Sequence, residues 1–201
     1  MPEGCAEGII KGMYLLEAAN GKQGTGKSKA KSKIPRVQLL GSGTILRECI
    51  AAAELLNEEF CVAADIWSCP SFSELRRDGF DCERWNRLHP ETKEQHVPYV
   101  TQCLSQHDGP AIAATDYVRE YADQIRAFMP DGKKYVVLGT DGYGRSDTRA
   151  HLRAFFEVDR YWIAHAAISA LAEESIMNPQ DVARAIKQWK LDPDKPNPQT
   201  V

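Results

Sequence analysis

The sequence has no apolar stretch approaching the roughly 20 residues that span a bilayer. Its start, Met1-Pro2-Glu3-Gly4-Cys5, lacks the basic residues and apolar run of a secretion signal. The expected setting is soluble and cytoplasmic. Neither sign of charge is in excess: 25 basic residues face 28 acidic ones, for a net charge of −3, so no whole-molecule field draws the chain to nucleic acid or to an anionic membrane. The six cysteines (Cys5, Cys49, Cys61, Cys69, Cys82 and Cys103) form none of the close pairs that zinc sites use. They read as reduced thiols, mostly small core residues. The five histidines give no H-E-x-x-H and no Cys/His cluster. No metal site is therefore expected, and no nucleophile stands beside a base in the sequence.

What is present is a repeating pattern. With 201 residues, 43% of them apolar, the chain can bury an adequate core as one domain over 1–201. Two short apolar runs, Gly12–Ala18 and Arg36–Leu40, flank a lysine-, glycine- and serine-rich segment that reads as a loop over about 19–35. If the two runs pair, they form an antiparallel hairpin. Arg36–Leu40 also begins a strand-helix cycle, since Ile45, Leu46, Cys49, Ile50, Ala53, Leu56 and Phe60 share one helical stripe. Cys61–Trp67 is the next strand, and the charged stretch Ser71–Arg87 predicts short, irregular helices. Pro110–Thr115 and Tyr117–Phe128 form a third unit, stopped by Pro130. Tyr135–Gly139 reads as a strand buried on both faces. Helices over 147–190 follow: Asp147–Phe156 capped by Ser146 or Asp147, Asp159–Glu174, and Pro179–Lys190 with Asn178 as N-cap and Pro179 at the first helical position. A tail, 191–201, closes the chain. The pattern implies a three-layer α/β/α sandwich with Gly12–Ala18 as an antiparallel edge strand.

In such sheets ligands meet the loops after the strand carboxyl ends, here Gly41–Thr44, Ser68–Ser71, Thr115-Asp116 and Thr140–Asp147. Ser42, Gly43 and Thr44 open a helix and form a weak candidate anion site, although G-x-G-x-x-G fails at Leu46. The loop Thr140-Asp141-Gly142-Tyr143-Gly144-Arg145-Ser146-Asp147 is the most distinctive segment. It is either a turn in which Asp147 caps the next helix and Arg145 pairs locally, or a contact between domains or subunits through Tyr143, Arg145 and Asp147. Trp85, an aromatic residue in the charged run Glu74–Arg87, is an anchor either for the core or for an interface. His89 and His96 read as loop residues or contacts.

Taken together, MPEGCAEGIIKGMYLLE at 1–17, VQLLGSGTILRE at 37–48, DIWSCPSFSELRRDGFDCERWNRLHP at 65–90 and VLGTDGYGRSDTRAHLRAFFEVD at 137–159 resemble the C-terminal domain of the transketolase family, more closely that of homodimeric pyruvate dehydrogenases. The resemblance implies a mixed five-stranded sheet whose first strand is antiparallel. It also implies a piece of a longer chain continuing upstream of Met1, whose preceding domains bind thiamine diphosphate and magnesium across a dimer interface. The glycine-aspartate-glycine and paired asparagines that bind the diphosphate in such enzymes are missing here. No catalytic, cofactor-binding or metal-binding residue is therefore expected in this chain. The implied partners are those preceding domains, the dimer mate and, through the whole enzyme, the lipoyl acyltransferase component that receives the acetyl group. Two other readings stay open: a regulatory nucleotide- or anion-binding module using Gly41–Thr44, and an autonomous enzyme with a site formed only in space.

Overall fold

The computed structural model describes residues 2–19 and 34–201; the lysine-rich segment over 20–33 lies outside them. Five strands form one sheet: β1 Tyr14–Glu17, β2 Arg36–Gly41, β3 Ala63–Ser68, β4 Ala111–Ala114 and β5 Tyr135–Leu138. Their order is β1-β3-β2-β4-β5. β1 runs antiparallel to β3, and the other pairs are parallel. The expected mixed sheet with an antiparallel first strand is present, but the hairpin is not. β1 pairs with β3 (Tyr14 opposite Ser68), and β3 separates it from β2. Seating β1 at the far edge leaves both sides of β2 free for parallel neighbours, which makes β2 the central strand, buried from Val37 to Gly41.

Alternation along the strands divides the interior in two. Val37, Leu39, Ile112 and Ala114 face a core completed by Cys49, Leu56, Ile163 and Ile168, from helices α2 (Leu46–Phe60) and α7 (Arg160–Glu173). Leu40, Trp67, Ala111 and Ala113 face the other, with Phe72 and Leu75 of α3 (Phe72–Leu88), Val100 and Leu104 of α4 (Tyr99–Leu104), and Ala122 of α5 (Arg119–Asp123). α1 (Ala6–Lys11) precedes β1, α6 (Arg149–Phe155) precedes α7, and α8 (Pro179–Gln188) follows it. The result is a three-layer α/β/α sandwich.

Several expectations about local structure need correction. The stretch from Ser71 is one 17-residue helix, not short irregular pieces, with the Ser71 side chain accepting from Glu74 N–H. Phe72, Leu75, Gly79 and Cys82 bury one narrow stripe of it; the density of charge on the other faces conceals this stripe in the sequence. The expected helix over Tyr117–Phe128 shrinks to α5 and a 3₁₀ turn, Arg126–Phe128. β5 is not buried on both faces: as an edge strand it alternates, with Tyr135 and Val137 buried and Val136 and Leu138 half-buried. α6 starts at Arg149 and is capped by Thr148, whose hydroxyl accepts from His151 N–H, not by Ser146 or Asp147. Asn178 caps α8 as the sequence indicates, and Asp159, expected as the first residue of its helix, is the N-cap of α7 instead, accepting from Tyr161 and Trp162 N–H.

Of the six thiols, Cys49, Cys69 and Cys82 are buried, and all six are free. Burial, aided by the neighbouring Glu48 charge, pushes the Cys49 thiol up to about 12, which keeps it protonated and unreactive at neutral pH. Trp85 proves to be neither a deep core residue nor bare surface. Half-buried, it stacks with the rings of both His89 and His96, at 4.3 and 3.7 Å between centroids. The Asn86 side chain bonds both backbone groups of His96 at 2.8–2.9 Å. This clasp fastens the loop after α3.

Candidate functional site

The path of the chain reverses at β2. β3 lies on one side of it and β4 on the other, so the carboxyl ends of β2 and β4 flank a switch point, the usual place for a crevice in an open α/β sheet. A cavity of about 500 Å³ opens there, lined by Thr44 and Ile45 after β2, Asp116 after β4, Thr140, Gly144 and Arg145 after β5, and Arg149, Leu152, Arg153, Phe156 and Val158 from α6 and beyond. Three of the four carboxyl-end segments thus meet. Ser68–Ser71 stays apart, because the chain after β3 turns into α3 on the opposite face.

The turn after β2 needs a small residue at its first position: a Cβ on Gly41 would fall 2.7 Å from Leu46 Cα. Beyond it, Ser42 is buried and Thr44 is exposed. The Thr44 hydroxyl donates to Asp116 Oδ2 at 3.2 Å, so the protein's own carboxylate stands at this helix start. Behind the turn, buried Glu48 joins three helices. Its carboxylate accepts from the Arg153 guanidinium at 2.8 Å, from Arg160 Nε at 3.0 Å and from Arg160 N–H at 3.2 Å. Burial alone would raise the Glu48 carboxyl, but the two arginines outweigh it and hold it below its ordinary value. Arg153 also reaches Thr44 Oγ1 at 3.4 Å.

The loop after β5 is held at its base. Buried Asp141 accepts from Arg119 N–H at 2.7 Å, pairs with Arg119 Nε at 3.1 Å and accepts from Gln199 Nε2 at 2.7 Å. The tail is thereby drawn back over the sheet edge. Lys195 strengthens the return by donating to the carbonyls of Ala154 and Phe155 and pairing with Glu157. Gly142 makes the crossing possible: its φ is 96°, and a Cβ there would come within 2.3 Å of Pro198 O. Gly142→Ala is expected to lose on the order of 2 kcal/mol and to release the tail, read as faster amide exchange at Gln199 and Thr200 with α2 and α7 unchanged. Equal protection of the tail in the variant would contradict this.

The sequence-derived positions part company around this base. Arg145 lines the cavity, its guanidinium 5.0 Å from the centre of the Phe155 ring. Asp147 accepts from Thr148 N–H and contacts His151 Nδ1 at 3.0 Å, and the bonds from Thr148 and His151 hold its carboxyl below the ordinary value. Tyr143, 83% exposed, projects from the tip of the loop. The sequence reading passed over Arg149, Arg153, Glu48 and Arg160. One signal was available: Arg145, Arg149 and Arg153 recur every fourth residue, the spacing of one helical face.

Residues 12–159 match the family model of the transketolase-like TK C-terminal domain. The chain belongs to this family. It is 54% identical over 201 residues to the Pyruvate dehydrogenase E1 component of Cupriavidus necator, covering 100% of this chain and 21% of that protein. It is 47% identical over 198 residues to the protein of that name from Escherichia coli K12, covering 98% and 21%. The chain therefore spans about a fifth of the length of these relatives. Transketolase from Leishmania mexicana aligns over 83% of this chain and 19% of its own, at 16% identity and a TM-score of 0.49.

Within this family domain the described residues do not fit a magnesium-bound diphosphate. None of their His, Cys, Asp and Glu side chains form a group of three or more placed to hold a metal ion. Asp141, in the Thr140-Asp141-Gly142 stretch, is fully engaged by Arg119 and Gln199. Magnesium needs an octahedron of oxygen ligands, and the cavity wall offers one carboxylate, Asp116, already bonded by Thr44, beside three arginines and an apolar side. Among the described residues no helix is long and apolar enough to cross a membrane.

Proposed function

We propose that this chain is the C-terminal domain, over 1–201, of a longer pyruvate dehydrogenase of the E1 type acting in the cytoplasm. Its task is to hold other parts of that enzyme in place rather than to perform chemistry. The observation that carries this reading is the 54% identity along the whole chain to the Cupriavidus necator protein. The parent enzyme decarboxylates pyruvate on thiamine diphosphate, held with magnesium by preceding domains and the dimer mate, and passes the acetyl group to a lipoyl acyltransferase component. No step of that chemistry is assigned to a residue here. Tyr143, Arg145 and Asp147 make the contact with the preceding domains or the dimer mate. Support comes from the exposure of Tyr143 on a loop whose base is pinned by Asp141, because a rigid stem with a free aromatic tip suits an anchor.

A chimera tests this. The 201 residues replace the corresponding C-terminal fifth of the Cupriavidus necator enzyme, and pyruvate decarboxylation and dimer mass are measured. The chimera is expected to assemble and turn over pyruvate, and Tyr143→Ala within it to weaken the assembly at least severalfold. A chimera that folds without assembling overturns the reading. In a separate titration with thiamine diphosphate and magnesium, the 201-residue chain alone is expected to give no binding heat; clear micromolar binding overturns the non-catalytic role.

A further inference from the structure

The arginines around the switch-point cavity are not equivalent. Arg153 is engaged by Glu48. Arg145 has only the Phe155 ring beside it, and Arg149 has no ion pair, hydrogen bond or ring contact among the described residues. The single carboxylate of the wall, Asp116, accepts from Thr44. Among the described residues two guanidinium groups thus border one cavity without an ion pair of their own, while the Asp116 carboxylate is held at its Thr44 end. The wall also carries Ile45, Leu152, Phe156 and Val158, of which Ile45, Phe156 and Val158 are buried. A second cavity of about 510 Å³ shares Thr44, Arg149 and Arg153 and adds Arg47 and Arg160 together with Glu48 and Glu54, so along α2 the added positive charge is balanced and the unpaired arginines belong to the first cavity.

This arrangement calls for a ligand in two parts, and we infer that the cavity binds a phosphate monoester carrying a flat apolar group, with Arg149 and Arg145 on the phosphate and Ile45, Leu152 and Phe156 against the ring. A carboxylate is matched by one planar guanidinium fork, whereas a dianionic phosphate with three oxygens accepts from two. The apolar wall favours an ester over the bare ion, and about 500 Å³ is within the range of nucleotide-sized sites. The Ser42-Gly43-Thr44 turn is not the seat of the phosphate, since Asp116 already stands there. This inference rests on the chain's own cavity rather than on the proposed parent enzyme, and it assigns Arg145 to the ligand instead of to the contact with the preceding domains or the dimer mate.

Adenosine monophosphate, inorganic phosphate and adenosine are the probes, titrated separately into the isotope-labelled 201-residue chain and followed by amide NMR. The monophosphate is expected to bind saturably, shifting Thr44, Ile45 and residues 144–153, and more tightly than either inorganic phosphate or adenosine. Arg149→Gln should weaken it at least tenfold and Arg149→Lys should recover only part of the loss, each with unchanged melting temperature. Arg87→Gln, on α3, should leave it unaltered. The inference is overturned if the monophosphate gives no saturable shifts at these residues. It is also overturned if inorganic phosphate binds equally well, or if Arg87→Gln weakens binding as much as Arg149→Gln.

Discussion

Replacing Asp65 by alanine is expected to lower stability by about 3 kcal/mol, the low end for breaking a buried charge pair, or roughly 6–12 °C in Tm for a chain of this size. Asp65 is fully buried on β3 at the amino end of the sheet. Its two oxygens accept from Arg36 at 2.6 Å, from Ala19 N–H at 2.8 Å and from Gln38 Nε2 at 2.9 Å, and contact His107 Nδ1 at 3.2 Å. Gln38 in turn accepts from Trp67 Nε1 at 2.8 Å. Deletion of the carboxylate leaves several donors unmatched in a dry site, which costs more than the loss of attraction. Asp65→Asn, which keeps the shape, should lose less than the alanine variant; equal losses would argue that charge alone matters. The pH dependence follows. Burial pushes the Asp65 carboxyl up, but the bonds from Ala19, Gln38, Arg36 and His107 outweigh it, and the carboxyl lies below its ordinary value of 3.8. A depressed carboxyl contributes its full stability above the unfolded value and loses it as the pH falls through the folded one. The wild-type stability should therefore decline in acid below about pH 4, and the decline should be shallower in Asp65→Asn.

Glu48→Ala is the second large effect, expected at about 2–3 kcal/mol. It is smaller than the first because Arg160 is 44% exposed and keeps its contact with water. This change reaches the cavity, since Arg153 loses the partner that holds it against Thr44. Chemical unfolding measures the loss, and amide exchange in α6 should rise more than in α3. A uniform rise in both helices would contradict a local role. Glu48 also lies below its ordinary value of 4.5, so its contribution is complete above that pH and fades as acid protonates it.

The elements legible in the sequence were those whose signal is local. α2 announced itself by apolar residues at helical spacing, and α8 by Asn178 and Pro179. The buried stretch of β2 was legible as a short apolar run between breakers. α3 was hidden, because Phe72, Leu75, Gly79 and Cys82 are a thin stripe among charges. The site was half legible. Gly41–Thr44, Thr115-Asp116 and Thr140–Asp147 could be assigned to the strand carboxyl ends, and Thr44 and Arg145 do border one cavity. Which groups neutralise each other there could not be read, because Glu48 and Arg153 are 105 residues apart and Asp141 and Gln199 are 58 apart.

Alternation and helical period, set by backbone geometry alone, determined the sandwich and the strands from the sequence itself, and the joined segments from 1 to 159 determined the family. Only the tertiary structure decided that β1 pairs with β3 and not β2, that the tail returns to Asp141, and that Arg149 is left without a counter-ion among the described residues. Those outcomes depend on which distant groups meet once two cores have closed on the sheet, and a pairing across a hundred residues leaves no periodic trace along the chain.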